Sequence, residues 1–212
     1  RPDGSKVQKS PNGVTIETLA DGTSIQTSAD GTTITKFPDG RRVQKNPNGL
    51  VIERRPDGSV LQISPNGERL EKFADGSSFV EKPNGAQLKI FADGSKWQKD
   101  ADGTIIETAV DGGTVQTNPD GSRLSVFPNG KREQVTAKGL KIVTEVDGTR
   151  TQTSVDGVVI RTNPDGSRVQ TMPDGSRIEV AVDGTRIDTT PDGTVIEKRP
   201  DGKVIARKAK LP

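Results

Sequence analysis

Glycine recurs at every ninth residue from Gly4 to Gly202, 23 times without insertion or deletion, and only Gly113 lies off the series. So strict a period constrains the fold before composition is considered, because each unit must be one structural element of an array. The residue before the periodic Gly is Asp in 17 units, Asn in five and Lys138 in the one that remains. Pro, Ala or Val stands one place earlier. The third residue after Gly is apolar in 21 units, failing only at Glu133 and Thr151. Pro164 to Met172, PDGSRVQTM, is a typical unit.

Asp-Gly and Asn-Gly between runs of Ile, Val and Thr are hairpin signals, since a type I′ turn needs φ > 0 at both central residues. The periodic glycines, among them Gly4, Gly13, Gly22, Gly94, Gly166 and Gly202, are therefore assigned to two-residue DG or NG turns. The predicted fold is all-β: an elongated single-layer antiparallel meander of 23 short strands, both faces exposed to solvent. Strands about 4.8 Å apart would give an array roughly 110 Å long. One continuous repeat domain is expected over residues 1–206, with a tail at 207–212. The chain opens at Arg1 inside a repeat, which reads as a fragment. A parallel calcium-binding roll also has a nine-residue period, but its GGxGxDxUx unit needs adjacent glycines and a second Asp that are missing here.

A two-residue turn fixes a register. The third residue after Gly would face the fifth of the neighbouring unit, and the fourth would face its own counterpart. One face would then carry Ile and Val interleaved with Thr. The other would carry a polar ladder of Gln8, Glu17, Gln26, Thr35, Gln44, Glu53, Gln62 and Glu71. Thr27, Thr108, Thr117, Thr153, Thr162 and Thr171 would line the apolar face, an arrangement that β-propensity explains without invoking an ice-binding surface.

Composition removes several functions. Hydrophobic residues are 28% and aromatics 3%, too few for a closed core in 212 residues. The 31 basic and 29 acidic residues are interspersed, so no stripe suits nucleic acid. No apolar run approaches the roughly 20 residues of a membrane helix. Histidine and cysteine are absent, which removes most nucleophile–base pairs and thiolate or imidazole metal sites. The aspartates are periodic turn residues, and an array without insertions offers no loop to wall a cleft. The chain is read as a non-enzyme that uses no cofactor or metal.

The main irregularity is aromatic. Phe73, Phe79, Phe91 and Trp97 fall within four consecutive units. The expected register aligns Phe79, Ile90 and Trp97 in one row, with Leu88 beside it, and places Phe73 and Phe91 on the opposite face. Large side chains on a polar surface are candidate partner-binding anchors, although they could equally stiffen the sheet. The array's ends look guarded against further strand pairing by Lys6 and Lys9 at one and Lys203, Arg207 and Lys208 at the other.

Units such as Pro65–Phe73, PNGERLEKF, and Pro119–Phe127, PDGSRLSVF, resemble the repeats of the T-complex protein 10 C-terminal domain and of the G-box of the centriolar scaffold protein CPAP. The resemblance covers nearly the whole chain. It implies a free-standing antiparallel sheet solvated on both faces and a scaffold role in centriole assembly. It also implies a cytoplasmic location at the centriole, centrosome or basal body, a STIL-like peptide partner and possible end-to-end association. The sequence departs from the family pattern in the residue that precedes each turn, which is Phe only at Phe37, Phe73, Phe91 and Phe127. The competing expectation is a spacer or adhesive stalk of a secreted or surface protein. The absence of an N-x-S/T sequon mildly favours an intracellular setting.

Overall fold

The nine-residue clock resolves into a six-residue extended arm and a three-residue loop. The structure, a computed structural model, describes residues 4–208. It contains 23 strands and no helix among the described residues. In the hairpin Ser10-Pro11-Asn12-Gly13-Val14, the Gly13 N–H donates to the Ser10 carbonyl at 3.0 Å and the Ser10 N–H to the Val14 carbonyl at 2.9 Å. Gly13 has φ +81°, and no residue other than Gly takes a positive φ among those described. This is a type I turn closed by a left-handed glycine, the three-residue hairpin loop with a bulge. The expected type I′ turn is thereby corrected. Proline explains the difference: its fixed negative φ suits the second position of a type I turn, which makes Asp or Asn the third and Gly the fourth.

Asp and Asn are selected for a hydrogen bond and not for a positive φ. Their side chains accept the N–H of the residue after Gly, as Asp21 does from Thr23 at 2.8 Å and Asn48 from Leu50 at 3.0 Å. Where Lys138 replaces them, Leu140 N–H turns to Thr136 Oγ1 at 3.1 Å. Ser or Thr after Gly adds a hydroxyl donor to the same carboxylate, as Ser59 does to Asp57 at 2.7 Å. Ser59, Ser77, Thr23 and Thr149 are buried as a result.

The longer loop moves the register by one residue, and a one-residue slip exchanges faces. Strands β1 (Lys6–Lys9) and β2 (Thr15–Thr18) pair Val7 with Glu17 and Gln8 with Ile16. The third residue of one unit thus faces the fourth of the next, so the expected contrast between an apolar and a polar face does not form. In the first unit of the structure, ending at Val110, one face carries the row Val7, Glu17, Ile25, Thr35, Val43, Glu53, Leu61, Glu71, Phe79, Lys89, Trp97 and Glu107. The other carries Gln8, Ile16, Gln26, Ile34, Gln44, Ile52, Gln62, Leu70, Val80, Leu88, Gln98 and Ile106. The single polar ladder is therefore split, its glutamates on one face and its glutamines on the other. The threonine row is split as well: Thr27 shares a face with Ile25, and Thr108 lies on the face of Ile106.

The second unit, from Asp111, repeats the scheme over β13 (Thr114–Thr117) to β23 (Val204–Lys208). There Gln116, Leu124, Gln134, Ile142, Gln152, Ile160, Gln170 and Ile178 alternate on one face. The last strand runs two residues past the expected boundary at 206.

No hydrophobic residue is buried among those described. Stability must come from ladder hydrogen bonds and cross-strand pairs worth about 0.2–1 kcal/mol each. The aliphatic stems of Gln, Glu, Lys and Arg cover their apolar neighbours while the polar ends stay wet. Turns two strands apart also stack along each edge. A Cβ added to Gly22 would lie 3.6 Å from Pro38 Cγ, and one added to Gly40 would lie 3.3 Å from Pro56 Cγ. Proline is thus a turn former and also a rung of an edge ladder.

Candidate functional site

The corrected register gathers the aromatic residues of the first unit. Phe79 lies on β9 (Ser78–Glu81), Lys89 on β10 (Gln87–Ile90) and Trp97 on β11 (Lys96–Lys99). Lys89 pairs with both Phe79 and Trp97, so the two rings occupy one row with a lysine between them. Phe73 follows β8 (Arg69–Lys72), whose Glu71 pairs with Phe79, and alternation puts Phe73 on that same face. Phe91 follows Ile90 and shares the face of Lys89. Phe37 belongs to this face by the same alternation, through Thr35. All five aromatic residues of the first unit therefore stand on its glutamate-bearing face.

Leu88 and Ile90 do not. Leu88 pairs with Val80 and Gln98, and Ile90 with Ser78 and Lys96, on the opposite face. The expected row of Phe79, Ile90 and Trp97 is corrected, as is the separation of Phe73 and Phe91 from Phe79. Leu88 instead helps line a shallow depression of about 140 Å³ with Val80, Ala86 and Gln98. Type I turn chemistry was the missed signal, and the PDG tripeptide carried it.

Phe73 and Phe91 are 36% and 38% exposed, high for rings in a folded chain, while Phe79 and Trp97 are half-buried. Cations sit over three of the phenyl rings. The Arg41 guanidinium carbon lies 3.9 Å from the Phe37 centroid, and Lys89 Nζ lies 4.7 Å from that of Phe91. In the second unit Lys131 Nζ lies 5.9 Å from Phe127. Such contacts are worth about 0.5–1 kcal/mol where exposed.

Beside Phe73 and Phe79 lies the most ordered charge cluster. Glu71, 8% exposed, accepts from Arg55 Nη1 at 2.8 Å and from Arg69 Nη2 at 2.9 Å. Arg55 also donates to Glu53 at 3.0 Å. Hydrogen bonds to Glu71 and Glu53 raise the Arg55 pKa further above neutrality. Removing Glu71 leaves two guanidinium groups without their shared acceptor. Glu71→Ala is expected to cost about 1–2 kcal/mol, less than a fully buried pair because both arginines touch solvent. A urea melt at neutral pH reads this, and an unchanged midpoint would mean the cluster is ornamental to stability.

The face is a plane and not a cleft. Among the described residues no three His, Cys, Asp or Glu side chains gather as a metal site. No helix there is long and apolar enough to cross a membrane. A surface of this kind can bind by apposition of rings, cations and carboxylates.

No protein-family profile and no curated protein matches the chain. Solved structures do. The TCP10 domain of Danio rerio CPAP, solved in complex with a STIL peptide, is 24% identical over 97% of this chain and 100% of its own, with a TM-score of 0.44. The G-box domain of the microcephaly protein CPAP is 22% identical over 85% of this chain and 100% of its own, with a TM-score of 0.44. The Drosophila melanogaster SAS-4 TCP domain, solved with a proline-rich motif of Ana2, is 17% identical over 66% of this chain and 88% of its own, with a TM-score of 0.47. These solved structures are TCP10 and G-box domains, the family that the chain's own repeats resemble.

Proposed function

We propose that this protein is a non-enzymatic scaffold module that binds an extended peptide on the aromatic face of its first unit. The observation that supports this reading most is the gathering of Phe73, Phe79, Phe91 and Trp97 on one face of four adjacent repeats, β8 to β11 with the residues that follow them. Interface hot spots favour aromatic residues and arginine, and this face offers rings next to the Arg55–Glu71–Arg69 cluster. Peptide docking needs no cleft, because exposed rings on a sheet face offer apolar area to a partner segment. Leu88 and Ile90 belong to the proposal as the alternative site on the opposite face.

The partner class is a protein segment, and a STIL-like peptide is the first to try. The cellular reading is a cytoplasmic scaffold at the centriole, centrosome or basal body. End-to-end association is part of this reading, although the exposed Lys6, Lys9 and Lys203 disfavour strand pairing beside them.

The test is an affinity measurement on the whole chain with a STIL-derived peptide. Trp97→Ala is expected to weaken binding about thirtyfold, the equivalent of about 2 kcal/mol. Leu88→Ala should leave affinity within about threefold. A loss at Leu88 with Trp97→Ala folded and unaffected would move the site to the opposite face. Full affinity in both variants would leave the ends of the array as the binding element, and no binding at all would favour a plain spacer.

A further inference from the structure

Five turns carry Asn before Gly: Asn12, Asn48, Asn66, Asn84 and Asn129. This dipeptide is chemically labile, because glycine hinders attack of its own nitrogen less than any other residue. The Gly nitrogen attacks Asn Cγ and closes a five-membered succinimide. Ammonia leaves, carrying the side-chain nitrogen and the proton lost from the Gly N–H. Water then opens the ring. Opening at the side-chain carbonyl gives aspartate, and opening at the main-chain carbonyl gives isoaspartate, with the backbone rerouted through Cβ.

In this fold both reacting groups are engaged elsewhere. The nucleophilic Gly N–H donates to the carbonyl three residues back in each turn: Gly13 to Ser10 and Gly49 to Asn46 at 3.0 Å, and Gly67 to Ser64, Gly85 to Lys82 and Gly130 to Phe127 at 2.9 Å. The Asn Oδ1 accepts from the N–H of the residue after Gly: Leu50, Glu68 and Lys131 at 3.0 Å, Ala86 at 3.1 Å and Val14 at 3.3 Å. Reaction requires that the hairpin open and free the nitrogen.

We propose that the Asn-Gly turns are spontaneous deamidation sites that the folded hairpins hold shut. The two products have different consequences. Aspartate is the residue that 17 units already carry, and it makes the same turn bond. Isoaspartate lengthens the main chain inside a turn whose three-residue loop sets the register, so it would unpair the hairpin in which it forms.

The experiment incubates the whole protein near neutral pH, folded and in concentrated urea, and maps aspartate and isoaspartate at each site by peptide mass spectrometry. Each folded rate is divided by the rate at the same site in urea. The ratio is expected to be about one tenth or lower at Asn12, Asn48, Asn66, Asn84 and Asn129, the factor that an opening free energy of about 1.4 kcal/mol or more produces. Rates unchanged by folding at these sites would overturn the proposal.

Discussion

Gly40→Val is expected to be a severely damaging substitution in a turn, costing about 3 kcal/mol or more. Two effects add. Gly40 sits at φ +88°, a conformation that a β-branched residue adopts only with strain of about 1–3 kcal/mol. Its Cβ would also arrive 3.3 Å from Pro56 Cγ in the next turn along the same edge, before the valine methyls are counted. Gly94 has the same φ, but a Cβ there meets nothing within 4 Å. Gly94→Val should therefore pay only the backbone strain, about 2 kcal/mol. Urea titration followed by circular dichroism measures both. Equal losses would mean that the edge ladder of prolines carries no weight, and a neutral Gly40→Val would mean that the left-handed glycine is not needed there.

The comparison of these two glycines shows what the sequence disclosed. The period, the antiparallel order and the exposure of both faces were legible, because each rests on a feature repeated 23 times. The register was not, since it depends on whether the loop has two residues or three. Asp-Gly taken alone suggests two. The preceding proline decides for three, because its φ is fixed at the second position of a type I turn. That one residue determined which side chains share a face, and so the composition of the candidate site. Phe73, Phe79, Phe91 and Trp97 were singled out from sequence as rare large side chains, but their common face appears only once Val7 is seen opposite Glu17 and not opposite Lys9's counterpart. The stacking of Pro56 on Gly40 had no sequence signal at all, since it joins residues 16 apart through the geometry of the edge.

The register also explains how so polar a chain stays folded without a core. On one face of the first unit Ile16, Ile34 and Ile52 each lie between two glutamines on the neighbouring strands, whose stems shield them from both sides. Because neighbouring units face opposite ways, both sides of the sheet receive this treatment alike. A sheet with one apolar face would bury that face by association. Among the described residues of the first unit's glutamate face, the larger apolar side chains concentrate in the aromatic group, which is why the peptide site is proposed there.

Acid should unfold the array through its turns. Twelve turn aspartates, including Asp57, Asp75, Asp93, Asp120, Asp165 and Asp174, have pKa values below the usual carboxylate range. In these six the hydroxyl of the Ser after Gly is the largest cause and its backbone N–H the next. A carboxyl whose pKa is lower folded than unfolded contributes stability that is complete above the unfolded value and is lost as pH falls through the folded one. Stability should hold from neutrality to about pH 5 and then decline steadily as the pH is lowered further. Each exposed carboxylate contributes little, but the dozen act together on neighbouring hairpins. Asparagine accepts the same backbone N–H without a charge to lose, as Asn48 does from Leu50 at 3.0 Å. Replacing Asp57, Asp75 and Asp93 by Asn should therefore flatten the acid limb of a melting-temperature profile while leaving the neutral plateau little changed. A profile whose acid limb keeps its full slope in the triple variant would show that Asp57, Asp75 and Asp93 are not among the groups through which acid unfolds the array.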